Sequence, residues 1–139
     1  MIDTLIIVLR KKSEQCSFLH LWHHSTIVIV WGWVVNTWPA ENSSAVYAYG
    51  AWINACVHVI MYFYYGLTAV NIRPPPALKK SVTVVQLTQF ASCIVHAVTS
   101  VFVDVTPKQY NVVQVLYHIG MLRLFLPLLL GKKPSKKEA

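Results

Sequence analysis

Four long stretches that are almost free of charged residues constrain the fold of this chain more than any other feature. They cover approximately residues 17–38, 45–70, 82–103 and 112–131. Each is close to the roughly 20 residues that an α-helix needs to cross a bilayer, and none has the polar face expected of a helix in a soluble bundle. Because 55% of the 139 residues are hydrophobic, the sequence predicts an all-α fold, a polytopic transmembrane helix bundle that forms one membrane-embedded domain over residues 1–131.

The positive charges lie between these stretches and predict the orientation of the chain. The formal net charge is +7, and the basic residues cluster at 10–12, at 73–80 and in the tail at 132–139. The loops at 39–44 and 104–111 are not basic. By the positive-inside rule, the basic loops and the C-terminus are therefore cytoplasmic. Since the charges form short clusters rather than one basic face, membrane lipid is the predicted surroundings and nucleic acid is not a predicted partner.

The two ends of the chain carry further signals. Residues 2–9 are apolar but would extend only about 12 Å as a helix, so we interpret them as the last part of a membrane helix and expect about five helices in all. The final residues KKEA resemble a dilysine retrieval signal. Within a basic cytoplasmic tail at 132–139, this signal predicts a multi-pass protein of the endoplasmic reticulum membrane.

Three histidines stand close together near the start of the first long stretch. His20, His23 and His24 are spaced i, i+3 and i+4, so a helix would present them on one face. Ionisable residues inside a membrane span are expensive and usually functional. Imidazole can ligate a metal, relay a proton or act as a nucleophile, so the cluster predicts a site without choosing its chemistry.

A second polar set recurs at helical spacing in the stretch 45–70. Its members are Asn54, His58, Met61, Tyr62 and Tyr65. We expect the polar members to face the interior of the bundle. Tyr64 and Tyr65 also fit an aromatic belt at the membrane surface, but that explanation does not account for Asn54 or His58.

A third polar stripe runs along the stretch 82–103. It consists of Gln86, Gln89, Cys93, His96 and Ser100 at steps of three and four residues. A role in a site and hydrogen bonding between helices explain this stripe equally well. With the topology above, the economical arrangement is one intramembrane pocket that opens to the cytoplasm.

Several motifs follow one another in a fixed order along the chain. They are DT at 3–4 with LRKK at 9–12, FLHLWHH at 18–24, HVIMYFYY at 58–65 and TVVQLTQF at 83–90. In this order and spacing they resemble the motifs of the ELO-type very-long-chain fatty acid elongases, and the resemblance weakens after about residue 95. It implies seven membrane helices, of which this chain would supply the last part of the third through the seventh, as an N-terminally truncated member.

The resemblance implies an acyltransferase, a very-long-chain 3-oxoacyl-CoA synthase. Acyl-CoA and malonyl-CoA would give 3-ketoacyl-CoA, carbon dioxide and coenzyme A by decarboxylative Claisen condensation, with no cofactor and no metal. His23 would accept the acyl group, His58 would stabilise the developing enolate or oxyanion, and His20 and His24 would orient or deprotonate the nucleophile. The expected substrate-binding residues are Asn54, Met61, Tyr62, Tyr65, Gln86 and Gln89, with Arg10, Lys11 and Lys12 at the mouth for the phosphates of coenzyme A.

Two further features concern substrate and partners. Gln15 matches a position at which elongases of polyunsaturated and some long saturated chains often carry glutamine, which favours long or unsaturated substrates. The reductases and the dehydratase of the elongation cycle are the expected protein partners. The basic cluster at 10–12 is explained at least as well by charges that only set the topology as by binding of coenzyme A phosphates.

Two other classes of membrane protein remain as alternatives. A di-iron desaturase or hydroxylase also has a His-x-x-His-His box, but it needs about eight ligands for two irons, and this chain has six histidines. A transporter or scaffold could line a path with polar stripes, although it gives no reason for the dense histidine cluster.

Overall fold

A computed structural model describes residue 9 and residues 18–38, 45–103 and 107–131. It contains four helices, which we number in chain order: α1 (Phe18–Thr37), α2 (Ala45–Ala69), α3 (Pro76–Val103) and α4 (Lys108–Leu129). Over the described ranges there is no strand, which confirms the all-α prediction. The chain divides into two compact units, of which the first contains α1 and the second contains α2 to α4, and each is described separately.

Three of the helices, α1, α3 and α4, are long and apolar enough to cross a membrane. Helix α2 has sufficient length, at 25 residues, but carries Asn54, His58 and several tyrosines. It is not among the three candidate spans, so the fourth span expected from the sequence stays a prediction. The apolar helices establish a multi-pass membrane protein built from helices.

The connection between α2 and α3 is set by local residues. Asn71 adopts a left-handed φ of 60°, and the backbone N–H of Ile72 donates to the Leu67 carbonyl at 3.0 Å, as in a Schellman cap. Pro74 and Pro75 follow, and α3 begins at Pro76, since the fixed φ of proline and its missing N–H suit the first position of a helix. Helix α3 thus begins six residues before position 82, where the corresponding low-charge stretch of the sequence begins.

Helices α3 and α4 form an antiparallel hairpin. Ser100, near the end of α3, contacts Asn111, near the start of α4, and Phe90 meets Phe125 with ring centroids 5.2 Å apart. Small and flexible side chains fill the interface: Cys93, Ala97 and Met121 are fully buried. Small residues such as Ala97 let membrane helices approach closely.

Some expectations lie outside the described residues. These are the partial helix proposed for residues 2–8, the basic residues Arg10, Lys11 and Lys12, Gln15, and the dilysine tail within 132–139.

Candidate active site

The histidine cluster lies on one face of α1, as its spacing predicts. The rings of His20 and His24, one turn apart, stack with centroids 4.1 Å apart, and His23 meets His24 edge to face at 5.5 Å. All three side chains are half-buried. Three imidazoles are thus held side by side, and together they offer both nitrogen lone pairs and N–H donors.

The backbone beside this cluster is tied into a regular helix. The Thr26 hydroxyl lies 2.6 Å from the Trp22 carbonyl oxygen and 3.3 Å from that of His23, and donates its one proton to one of them at a time. Such back-bonding satisfies the hydroxyl within the helix itself. The polar group next to the histidines therefore does not compete with them for a ligand.

Helix α2 carries the second predicted set between Asn54 and Tyr65. The side chains of Asn54, His58 and Met61 are half-buried, and the His58 and Tyr62 rings lie 5.7 Å apart, one turn from each other. Tyr62 and Tyr65 are 43% and 52% exposed. The unit of α2 to α4 thus partly covers Asn54, His58 and Met61, and leaves both tyrosines at its surface.

One contact joins two predicted site residues of different helices. The Gln86 side-chain amide of α3 lies 3.6 Å from the sulfur of Met61 on α2, where it can donate a weak hydrogen bond. Gln89, one turn further along α3, is buried, at 4% exposure. Met61 and Gln86 are therefore brought together between α2 and α3.

The two predicted halves of the site belong to different units. His20, His23 and His24 lie on α1, whereas His58 and the glutamines lie in the unit of α2 to α4. The single pocket that would join them stays a prediction, as do the roles of the individual residues. In the part of the chain that the structure describes, no three His, Cys, Asp or Glu side chains stand where they could share a metal ion.

The inner face of α4 holds polar residues that the sequence analysis did not select. Asn111 and Gln114 are buried, and His118, one turn further, donates from Nδ1 to the Gln114 carbonyl oxygen at 2.7 Å. Their spacing of i, i+3 and i+7 in an apolar segment is the signal that could have identified them. Polar residues of the chain interior therefore continue beyond residue 95, although the recognisable motifs end near that position.

The charges of the described helices are all positive. Every Asp and Glu of the sequence falls outside the described residues, while Arg73, Lys79 and Lys80 are exposed at the connection between α2 and α3. An open groove of about 580 Å³ lies at this connection, lined by Thr68, Asn71, Ile72, Arg73 and Pro74. Positive charge at this predicted cytoplasmic side suits the binding of an anionic carrier.

The apolar helices define a helical membrane protein, and one of these helices carries three histidines on one face. Comparison with known proteins gives the family: residues 1–131 match the family described as ELO: GNS1/SUR4 family. The chain belongs to this family, which confirms the resemblance found in the motifs.

The similar proteins have consistent names. The chain is 45% identical over 127 residues to "Fatty acid elongase 5" of Leishmania major, an alignment that covers 91% of this chain and 49% of that protein. It is 38% identical over 143 residues to "Very long chain fatty acid elongase 4" of Homo sapiens, covering 99% of this chain and 44% of that protein. The chain thus spans about half the length of the curated relatives it matches. No solved structure matches it significantly.

Proposed function

We propose that this chain is the catalytic part of a fatty acid elongase that condenses a long-chain or very-long-chain acyl-CoA with malonyl-CoA. The observation that carries the proposal is the histidine face of α1 in a chain of this family, since relatives of the same family are named fatty acid elongases. No cofactor and no metal are required by the chemistry. The acyl chain lies in the membrane-embedded part, and the coenzyme A phosphates lie at the basic cytoplasmic side.

The first step of the proposed reaction is acyl transfer to His23. A ring nitrogen of His23 attacks the thioester carbonyl, the carbon–sulfur bond breaks, and the coenzyme A thiolate leaves and takes up a proton. The stacked pair His20 and His24 lies beside His23 and would orient it or accept its proton.

The second step forms the new carbon–carbon bond. Malonyl-CoA loses its carboxylate as carbon dioxide, and the electron pair stays on the adjacent carbon. This carbanion attacks the acyl-imidazole carbonyl, the carbon–nitrogen bond breaks, and the ring nitrogen of His23 takes up a proton so that it leaves as neutral imidazole. His58 would donate a hydrogen bond to the developing enolate or oxyanion. Asn54, Tyr62, Tyr65, Met61, Gln86 and Gln89 would form the surrounding wall.

The product would leave for the remaining steps of elongation. A 3-ketoacyl-CoA must be reduced, dehydrated and reduced again to give a saturated chain, so the proposed partners are the reductases and the dehydratase that do this. The KKEA tail and the basic loops support an endoplasmic reticulum location with a cytoplasmic C-terminus.

The test is condensation in microsomes with labelled malonyl-CoA and a panel of acyl-CoAs. Membranes would contain this chain, or the chain with the upstream helices of a relative restored, with His23→Ala and Ser25→Ala as matched variants. Ser25 is exposed on the same helix, two residues from His23 and so on another face. We expect the restored protein to form 3-keto products, His23→Ala to lose about three orders of magnitude or more, and Ser25→Ala to match the unaltered protein.

A second measurement separates the two steps. Coenzyme A release is followed with a thiol reagent in the absence of malonyl-CoA. We expect His58→Ala to release one equivalent of coenzyme A without condensing, whereas His23→Ala releases none. Near-normal condensation by His23→Ala would disprove its role, and lack of product from a well-expressed restored protein would count against the elongase proposal.

A further inference from the structure

Polar side chains gather at the ends of α2, α3 and α4 that the charge pattern places away from the cytoplasm. The Ser100 hydroxyl of α3 lies 3.0 Å from Oδ1 of Asn111 on α4 and 2.9 Å from the Ala97 carbonyl oxygen. A hydroxyl has one proton and donates to one of these acceptors at a time. This contact places Ser100 level with Asn111.

The same register brings His96 and Gln114 to one level. His96 lies one turn before Ser100 on α3, and Gln114 lies one turn after Asn111 on the antiparallel α4, so the two residues lie at about the same level of the hairpin. Helix α2 closes this level from a third side. Its Tyr49 ring stacks on the His96 ring at 4.3 Å, nearly parallel at 8°, and the Gln114 amide nitrogen lies 3.7 Å from where a Cβ on the neighbouring Gly50 would stand.

Three buried atoms at this junction make no hydrogen bond within the described part of the chain. They are Nδ1 of His96, Nδ2 of Asn111 and Oε1 of Gln114. Asn111 and Gln114 are only 2% and 6% exposed. Leaving a buried donor or acceptor unsatisfied destabilises the fold, and three such atoms within about one helical turn of the Ser100 and Asn111 contact indicate a common ligand.

We propose that this junction binds water in the interior of the helix unit, in one internal site formed by His96, Asn111 and Gln114. The ligand must accept from the Asn111 amide N–H, donate to the Gln114 carbonyl oxygen and pair with the imidazole nitrogen, which accepts or donates according to its tautomer. Water does all three, with the two to four polar partners that a buried water needs.

The chemistry of the junction argues against an ion. A metal cation would be repelled by the Asn111 N–H donor and finds no carboxylate among these side chains. An anion would face the Gln114 carbonyl oxygen, and no Lys or Arg is among them. The site is also separate from the proposed catalytic residues, because none of its members belongs to the histidine face of α1 or to the His58 and Gln86 level.

The test is X-ray radiolytic footprinting of the full chain in lipid nanodiscs, read by mass spectrometry. Hydroxyl radicals form from water and modify only side chains next to it, so an internal water labels residues that bulk water does not reach. We expect oxidation of His96 and Tyr49. Trp52, one turn from Tyr49 and 65% exposed, reports bulk water at the same depth on the outer surface, and fully buried Met121 reports the dry core.

Two near-isosteric variants, Gln114→Met and Asn111→Leu, remove the water's partners while keeping the volume. We expect His96 and Tyr49 labelling to fall to the Met121 level in both variants. Labelling of His96 and Tyr49 no stronger than that of Met121 in the unaltered chain would overturn the proposal. So would labelling of Trp52 as strong as that of Tyr49, or labelling of His96 that neither variant reduces.

Discussion

Helix α1 and the hairpin of α3 and α4 have similarly apolar sequences but differ in how many residues they bury and in where their polar side chains bond. Helix α1 has one buried residue among 20, Val34, whereas the hairpin buries six positions of α3 and four of α4. In α1 the polar groups turn back on their own helix: Asn36 donates to the Gly32 carbonyl at 2.7 Å and Thr37 to the Trp33 carbonyl at 2.8 Å. In the hairpin, Ser100 and Asn111 instead meet across the interface.

The difference separates two functions of polar residues in a membrane helix. A polar group that bonds its own backbone costs little and leaves the other side chains of the helix available for chemistry, as on the histidine face of α1. A polar group that bonds a neighbouring helix specifies which helices pack together, because lipid tails supply no hydrophobic force between helices. We therefore expect stability to depend on the hairpin and activity to depend on α1.

The largest expected effect is on the free energy of unfolding when one large side chain is truncated in each region. Met121→Ala, at a fully buried position, should lower the free energy of unfolding by about 2–5 kcal/mol. Ile29→Ala on α1, where Ile29 is 69% exposed, should change it by less than about 0.5 kcal/mol. Unfolding in mixed micelles of increasing denaturing detergent measures both. Equal losses for the two variants would contradict the contrast between the regions.

The next largest effect concerns close approach of α2 to the hairpin. Gly50 is buried, and a Cβ there would meet the Gln114 amide at an ordinary 3.7 Å, whereas a Cβ on Gly66 of the same helix meets nothing within 4 Å. Gly50→Leu should therefore cost about 1–3 kcal/mol by overpacking. Gly66→Leu should be neutral or stabilising, since leucine favours a helix more than glycine does.

Alanine variants at these two glycines provide the control. Gly50→Ala fits the available space, so it and Gly66→Ala should both gain up to about 1 kcal/mol from helix propensity. The same detergent titration applies to all four variants. A destabilising Gly50→Ala would mean that α2 lies closer to α4 than the structure places it.

A smaller effect is expected for the hydrogen bond between Ser100 and Asn111. A double-mutant cycle with Ser100→Ala and Asn111→Leu isolates the pair, and interhelical hydrogen bonds in membrane proteins average about 0.6 kcal/mol with a maximum near 1.7 kcal/mol. We expect a coupling energy in that range. The corresponding cycle for Asn36→Leu on α1 with any variant of the hairpin should give none, because the Asn36 amide bonds within its own helix.

Much of the fold follows from the sequence because charge and proline mark where helices end. The low charge of the four stretches predicts the bounds of the four helices to within six residues. In the polar stripe of α3, the side chains of Gln89, Cys93 and Ser100 are buried. Of the two uses that were left open for this stripe, hydrogen bonding between helices is shown for Ser100, and the site role of Gln89 stays a prediction.

The inner face of α4 and the surfaces of α2 could not be predicted in the same way. Asn111 and Gln114 gain importance only from the register of the hairpin, which depends on packing of Phe90, Cys93 and Met121 rather than on any local motif. The exposure of Tyr62 and Tyr65 likewise depends on which faces of α2 meet α3. Spacing predicts that residues share a face of a helix, but not which helix that face meets.

The smallest expected effect on stability belongs to the contact between Gln86 and Met61, and it sharpens the division between stability and activity. The thioether sulfur is a weak acceptor and the contact is long, at 3.6 Å, so Gln86→Leu should change the free energy of unfolding by only about 0.5 kcal/mol. If Gln86 lines the substrate site as proposed, the same variant in the restored protein should raise KM for acyl-CoA or lower kcat.

Met61→Leu, which keeps the volume and removes only the sulfur, should preserve both stability and activity. A Gln86→Leu variant with unchanged kinetics and a large loss of stability would instead make this glutamine a purely interhelical contact, and polar residues of α3 at both ends of the helix would then serve packing alone.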